Sequence, residues 1–172
     1  MAFNLREIFI ALDQAHARYV IVGGLAVILH GYLRGTHDLD LVIGLEPSNC
    51  AKGLQALESA GLRPRLSATM QDFADPVKRR DWHENRNMDV FPLWDPQNPL
   101  RSVDVFVHEP IGFDTLWRDS VTKEYDGLRV RVASIPHLIQ MKSAVNRPQD
   151  RLDIENLRAI QEELEAGTKG SP

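Results

Sequence analysis

Two acidic residues one position apart inside an otherwise β-forming run constrain this chain more than any other feature. In His37-Asp38-Leu39-Asp40-Leu41-Val42-Ile43 the alternation puts Asp38 and Asp40 on one strand face and Leu39 and Leu41 on the other. Strands disfavour aspartate, so the pair requires either a solvated edge or a positively charged ligand. Upstream, the short run Tyr19-Val20-Ile21-Val22 stops at Gly23-Gly24, and Leu25, Ala26, Ile28 and Leu29 then carry helical spacing up to Gly31. The unit therefore reads strand, glycine turn, helix, acidic strand. Glycines let a phosphate approach the backbone, and the following helix offers free N–H groups to an anion. Two carboxylates on one face can hold a divalent cation that bridges to the same phosphate. A glycine pair alone is usually a tight turn. The order of the combination is what carries the reading.

The rest of the chain supplies a frame. Leu5, Ile8, Phe9 and Leu12 form a helical stripe over 4–17, with Asn4 at the N-cap and Glu7 at capping-box spacing. Pro47 opens a helix to about Ala60, closed by Gly61, and a basic, irregular stretch follows from Arg63 to Arg86. Met88–Trp94 and Ser102–His108, joined by Asp95–Pro99, predict a hairpin; Thr122–Tyr125 and Leu128–Ala133 around Asp126-Gly127 predict a tighter one. Pro136–Ala144 and Arg151–Leu164 read as closing helices, and 166–172 as a disordered tail.

At 172 residues and 43% apolar content the chain can bury one substantial core, so one domain over 1–165 is expected. A net charge of −4 argues against coating nucleic acid through the overall field. The lone Cys50 excludes an intramolecular disulfide and a cysteine metal cluster, which suits a reducing compartment. Arg6, Glu7 and Asp13 interrupt the N-terminal apolar residues, so neither a signal peptide nor a membrane span is expected and the default address is cytoplasmic.

The pattern apolar-Gly23-Gly24, thirteen intervening residues, then Asp38-Leu39-Asp40-Leu41 resembles the signature of the nucleotidyltransferase superfamily that includes DNA polymerase beta and kanamycin nucleotidyltransferase. Within it the chain resembles most the small bacterial AbiEii-like nucleotidyltransferase toxins, through Gly-Gly-Leu-Ala, Arg34-Gly-Thr36 and Asp-Leu-Asp. The resemblance implies an α+β nucleotidyltransferase fold, a small mixed sheet flanked by helices with the C-terminal helices packed alongside. It also implies two magnesium (or manganese) ions, an NTP donor and transfer of a nucleoside monophosphate with loss of pyrophosphate. Many members have Gly-Ser where this chain has Gly23-Gly24, so a side-chain hydroxyl to the phosphate is missing while the backbone donors remain, including those of Gly24 and Leu25.

The superfamily needs a third acid on a neighbouring strand. Val103-Asp104-Val105-Phe106 and Met88-Asp89-Val90-Phe91 both fit, and Asp104 is favoured because Pro92 interrupts the Asp89 strand. Asp38, Asp40 and Asp104 are thus the candidate catalytic and metal-binding residues. Arg34 and Thr36 stand where they could reach triphosphate oxygens, or simply form a solvated turn around Gly35. Lys142, Arg147, Asp150 and Asp153 match the Lys…Arg…Asp-x-x-Asp element of AbiEii-like proteins, which implies Lys142 as a triphosphate ligand positioned by the two aspartates. The plain alternative is charge complementing two helix ends, at about 0.3–1 kcal/mol each.

The six histidines lack metal-ligand spacing. Lys78-Arg79-Arg80 with Trp82 could grip RNA and stack a base, or be a solvated loop. The acceptor is not written in the sequence: a toxin-type member would modify tRNA or a protein side chain and have a cognate antitoxin, and a resistance-type member a small hydroxylated antibiotic. Residues 63–86 are the expected acceptor surface. A non-catalytic nucleotide-binding or antitoxin-type module on the same fold is the remaining class.

Overall fold

β-branched runs bounded by glycine and turn residues become strands, and register then decides which side chains share a face. In the computed structural model, which describes residues 5–169, β1 (Tyr19–Val22) lies antiparallel to β2 (Asp38–Ile43), with Val22 opposite Asp40. β5 (Asn98–Phe106) runs parallel to β2 on its other side, placing Asp104 opposite Asp40 and Ser102 opposite Asp38. β4 (Val90–Asp95) and the two-residue β3 (Arg63–Pro64) extend that edge antiparallel. β7 (Leu128–Val132) runs parallel to β1, and β6 (Val121–Tyr125) closes the far edge. The result is one mixed sheet in the order β3-β4-β5-β2-β1-β7-β6.

Helices cover the apolar side. α1 (Arg6–Gln14) buries Ile8, Phe9 and Leu12, the stripe expected from the sequence. Its N-cap is Leu5, with no side-chain cap, and Asn4 lies outside the described residues. α3 (Pro47–Ser59) is capped by Glu46, whose carboxylate accepts from Ser48 and Asn49 N–H. It packs so closely that a Cβ on Gly53 would lie 3.4 Å from Ile43. Leu39, Leu41, Val103 and Val105 on the same sheet face are fully buried in the core. α2 (Gly23–Leu29) follows β1 directly, and α7 (Ile135–Val145) and α8 (Pro148–Lys169) pack against each other. None of the helices is long and apolar enough to cross a membrane, among the described residues.

Several boundaries differ from expectation. The stretch 63–86 is not irregular: it holds α4 (Met70–Ala74), opened by a Thr69/Asp72 capping box, and α5 (Pro76–Arg86), capped by Asp75. Trp82 is stacked on Phe91 with centroids 5.3 Å apart, so it is not free to stack a base. Arg79 is buried, with Nη1 donating to the Phe73 carbonyl and the guanidinium 5.5 Å from that ring. Lys78 pairs with Asp72. The basic cluster is thus neither a loop nor a base-stacking grip. α6 (Phe113–Asp119) was not anticipated; it buries Phe113 and Leu116, and Glu109 accepts from the Phe113 N–H. The first hairpin turns over Pro96-Gln97 alone, so β5 starts four residues earlier than Ser102. α8 runs through 166–168, which the sequence reads as tail. The Asp126-Gly127 turn has φ of 47° and 74°, the left-handed pair that a two-residue hairpin requires.

Candidate active site

Parallel pairing of β2 and β5 aligns Asp38, Asp40, Ser102 and Asp104 on the sheet face opposite the core. Asp40 is the innermost. It is pressed against the start of α2, where Gly23 adopts φ +62° and a Cβ would sit 2.0 Å from Asp40 Oδ2. The Gly24 N–H donates to the Asp40 carboxylate. The glycine pair therefore makes room for a carboxylate and gives it one amide, where the sequence reading had both glycines facing a phosphate. Burial first, then the charges of Asp104 and Asp38, push Asp40 up to about 7. Burial and Asp38 also raise Asp104. Asp38 accepts a hydrogen bond from the Ser102 hydroxyl. The oxygens of the three do not form a set lying within 4.8 Å of one another, among the described residues.

These residues line a cleft of about 620 Å³ whose opposite wall is α7 and the first turn of α8. Lys142, only 7% exposed, lies there with its Nζ 2.6 Å from Asp153 and 3.4 Å from Asp150. Burial works to raise Asp150, but the Arg147 N–H and guanidinium, then Lys142, overcome it and hold that carboxyl below its ordinary value. Arg34 Nε lies 3.1 Å from Asp153 as an ion pair without a directed hydrogen bond. A Cβ on Gly24 would meet Thr36 Oγ1 at 2.5 Å and Arg34 Nη2 at 2.8 Å, so the turn of Arg34 and Thr36 closes onto the glycines. The structure thus brings Gly23, Gly24, Arg34, Thr36, Lys142 and Asp150 to one cleft with the three aspartates. Asp153 lies behind Lys142, fully buried, and the Leu25 side chain turns into the core. A second cleft of about 560 Å³, between α1 and the β4–β5 hairpin, has no comparable set; its Arg101 is neutralised by Asp95 and Glu7 at 3.2 and 3.3 Å.

A family model described as nucleotidyltransferase of unknown function (DUF6036) matches residues 3–165. The chain belongs to that nucleotidyltransferase family. Its fold is similar to that of the lincosamide antibiotic adenylyltransferase LnuA, seen with lincomycin bound, at a TM-score of 0.59 and 17% identity over 91% of this chain and 95% of that one. It is also similar to the antibiotic-resistance factor ANT(2'')-Ia, at a TM-score of 0.52 and 16% identity over 96% and 92%. No curated protein matches in sequence. The α+β architecture with its seven-stranded mixed sheet is a nucleotidyltransferase fold.

Within this nucleotidyltransferase the geometry separates the competing acids. Asp104 stands opposite Asp40, whereas Asp89 precedes β4, three residues before Pro92, the β4 residue that pairs with Asp104. Asp89 contacts His83 and His108 instead. None of residues 63–86 lines the cleft; its wall also includes Asp89, Phe106, His108, Pro110, Leu138 and Met141. The expected acceptor surface therefore lies beside this cleft and not in its wall, with the Arg65 charge reaching Asp104. The His83–Asp89–His108 set was missed because no local spacing signals it.

Proposed function

We propose that this chain transfers a nucleoside monophosphate from an NTP to a hydroxyl acceptor, with Asp38, Asp40 and Asp104 holding Mg²⁺ or Mn²⁺. The observation that carries the reading is Asp40, half-buried beside two other carboxylates and against a glycine whose missing side chain makes room for it. A buried carboxylate raised by its neighbours is relieved by a divalent cation, and a set of hard oxygen donors suits magnesium. Such an ion, when bound, polarises phosphoryl oxygens and neutralises charge on the leaving pyrophosphate. The chain's own residues supply the rest. The acceptor oxygen forms its bond to the α-phosphorus in line with the breaking bond to pyrophosphate, and Asp104, raised by burial, accepts the hydroxyl proton. Lys142 and Arg34 offset triphosphate charge, held in place by Asp150 and Asp153, while Gly23 and Gly24 let Asp40 and the Arg34–Thr36 turn close in beside the donor.

The acceptor is best read as a compact hydroxylated molecule. Phe106 and Pro110 on one side and Leu138 and Met141 on the other give the cleft an apolar part, and it carries five aspartates, a poor field for the phosphates of RNA. The fold likeness to two antibiotic adenylyltransferases, over more than nine-tenths of every chain compared, supports the same class. The test is pyrophosphate release from each NTP with Mg²⁺ or Mn²⁺ and a panel of hydroxylated antibiotics, tRNA and candidate protein acceptors, with mass analysis of the product. Addition of one nucleoside monophosphate to a small molecule supports the reading, and addition to tRNA or protein replaces it with the toxin-type role. Turnover that survives Asp40→Asn and Asp104→Asn sinks the site assignment.

A further inference from the structure

Three side chains beside the carboxylate face bring their metal-ligand atoms within 4.8 Å of one another, as no other set does among the described residues. His83 comes from the last turn of α5, Asp89 from the connector that follows Asn87, and His108 from just beyond β5. Asn87, at φ 51°, ends the helix, and the Asp89 carbonyl accepts from Val107 N–H at 2.9 Å, which fixes the connector beside the strand end. His83 Nδ1 lies 3.1 Å and His108 Nε2 3.2 Å from the same oxygen, Asp89 Oδ1. The two rings stack, with centroids 3.9 Å apart.

A carboxylate shared by two imidazole N–H groups would be the plain account. It leaves His83 Nδ1 unexplained, because that atom is buried and makes no directed hydrogen bond despite its short distance to Asp89. A cation lying off the N···O line would satisfy all three groups once the two rings turn out of their stack to aim both lone pairs at it. With zinc–ligand bonds of about 2.0–2.1 Å, the edge of a tetrahedron is about 3.4 Å, close to both separations.

We propose that His83, Asp89 and His108 form a binding site for a borderline transition cation, zinc in the first instance, separate from the carboxylates of β2 and β5. Two imidazoles and one carboxylate suit zinc and not magnesium, and three protein ligands leave a coordination position for water or another oxygen or nitrogen donor. Asp89 and His108 also line the cleft, which puts the ion in its wall. Binding here is independent of nucleotidyl transfer.

The test uses the full chain stripped with a chelator. Zinc is titrated calorimetrically under saturating magnesium, and Co²⁺ is titrated in parallel with visible absorption as the readout. One equivalent of zinc, a raised Tm and the strong absorption of four-coordinate cobalt are expected. His83→Gln and His108→Gln should each weaken zinc binding by at least about tenfold, while Asp38→Asn leaves it unchanged. Uptake that survives both histidine changes, or is lost with Asp38→Asn, overturns the site. So does the absence of saturable uptake, or the pale spectrum of six-coordinate cobalt on the unaltered chain, a readout that needs no variant to fold.

Discussion

At the scale of single residues, Gly23 and Asp40 define each other. An alanine at 23 would carry φ +62°, costing about 1–2 kcal/mol in backbone strain, and its Cβ would overlap the Asp40 carboxylate. Gly23→Ala should therefore lower Tm by several degrees and turnover by about 10² or more, since the charge it displaces is the one on which the site is built. Paired melting and NTP-turnover measurements check this, and a variant with normal turnover would detach Gly23 from the site. Asp40 itself gives a pH signature. Its carboxyl titrates near 7 in the metal-free fold against an ordinary 3.8, so between those values the folded state holds more protons than the unfolded one. Stability is then lost as pH rises through that window, and the loss is complete above it. Asp40→Asn has no such proton to lose. In a chelating buffer the two proteins should melt alike near pH 4, and the asparagine variant should melt higher at pH 8. Added Mg²⁺ should narrow or invert the gap at pH 8. Identical melting curves at both pH values would contradict the burial of that charge.

At the scale of elements, α7 and α8 act as a clamp around Lys142. Were this lysine only a complement to the helix C-terminus, Lys142→Ala would cost a few tenths of a kcal/mol. Its burial between Asp150 and Asp153 changes the expectation: removal strands two buried carboxylates, and Arg34 and Arg147 relieve them only in part. A loss of about 1–3 kcal/mol follows, seen as a Tm several degrees lower, and Lys142→Ala/Asp153→Asn should recover part of that stability without recovering turnover. Recovery of both would make the lysine structural. The legibility of these elements in the sequence follows their physics. Alternation in 37–43 exposed the acid face because β side chains repeat every two residues, and Asp126-Gly127 announced its hairpin because few residue pairs accept two left-handed conformations. α5 stayed hidden because it buries only Arg79 and Trp82, too few positions for an apolar period. Its start was legible in Asp75-Pro76, and that of α4 in Thr69-x-x-Asp72. Asp104 could be preferred to Asp89 from apolar flanks, but only the β2–β5 register shows which of them stands opposite Asp40. His83, Asp89 and His108 meet through a helix end and an antiparallel pair, a juxtaposition that no linear spacing encodes.

At the scale of the whole molecule, a chain of net charge −4 with five aspartates in its cleft must still receive a donor that is itself a polyanion. Lys142, Arg34 and Arg147 cannot meet that demand alone, because all three are engaged with Asp150 and Asp153. NTP without a divalent cation should therefore bind weakly, repelled by Asp38, Asp40 and Asp104, and the cation without NTP should bind modestly, held by carboxylates that are not drawn into one cluster. Together each removes the other's electrostatic penalty, and the coupling free energy acts equally on both ligands. The expected result is a Tm rise with Mg²⁺ and NTP present together that exceeds the sum of the two separate rises. Asp104→Asn should reduce that excess, and rising NaCl should weaken the contribution of the exposed Arg147 more than that of the half-buried Asp40. Differential scanning fluorimetry across a grid of Mg²⁺ and NTP concentrations measures the excess directly. Strictly additive shifts, or an excess unchanged in Asp104→Asn, would mean that the nucleotide and the cation bind apart and that the carboxylate face is not where the triphosphate is received.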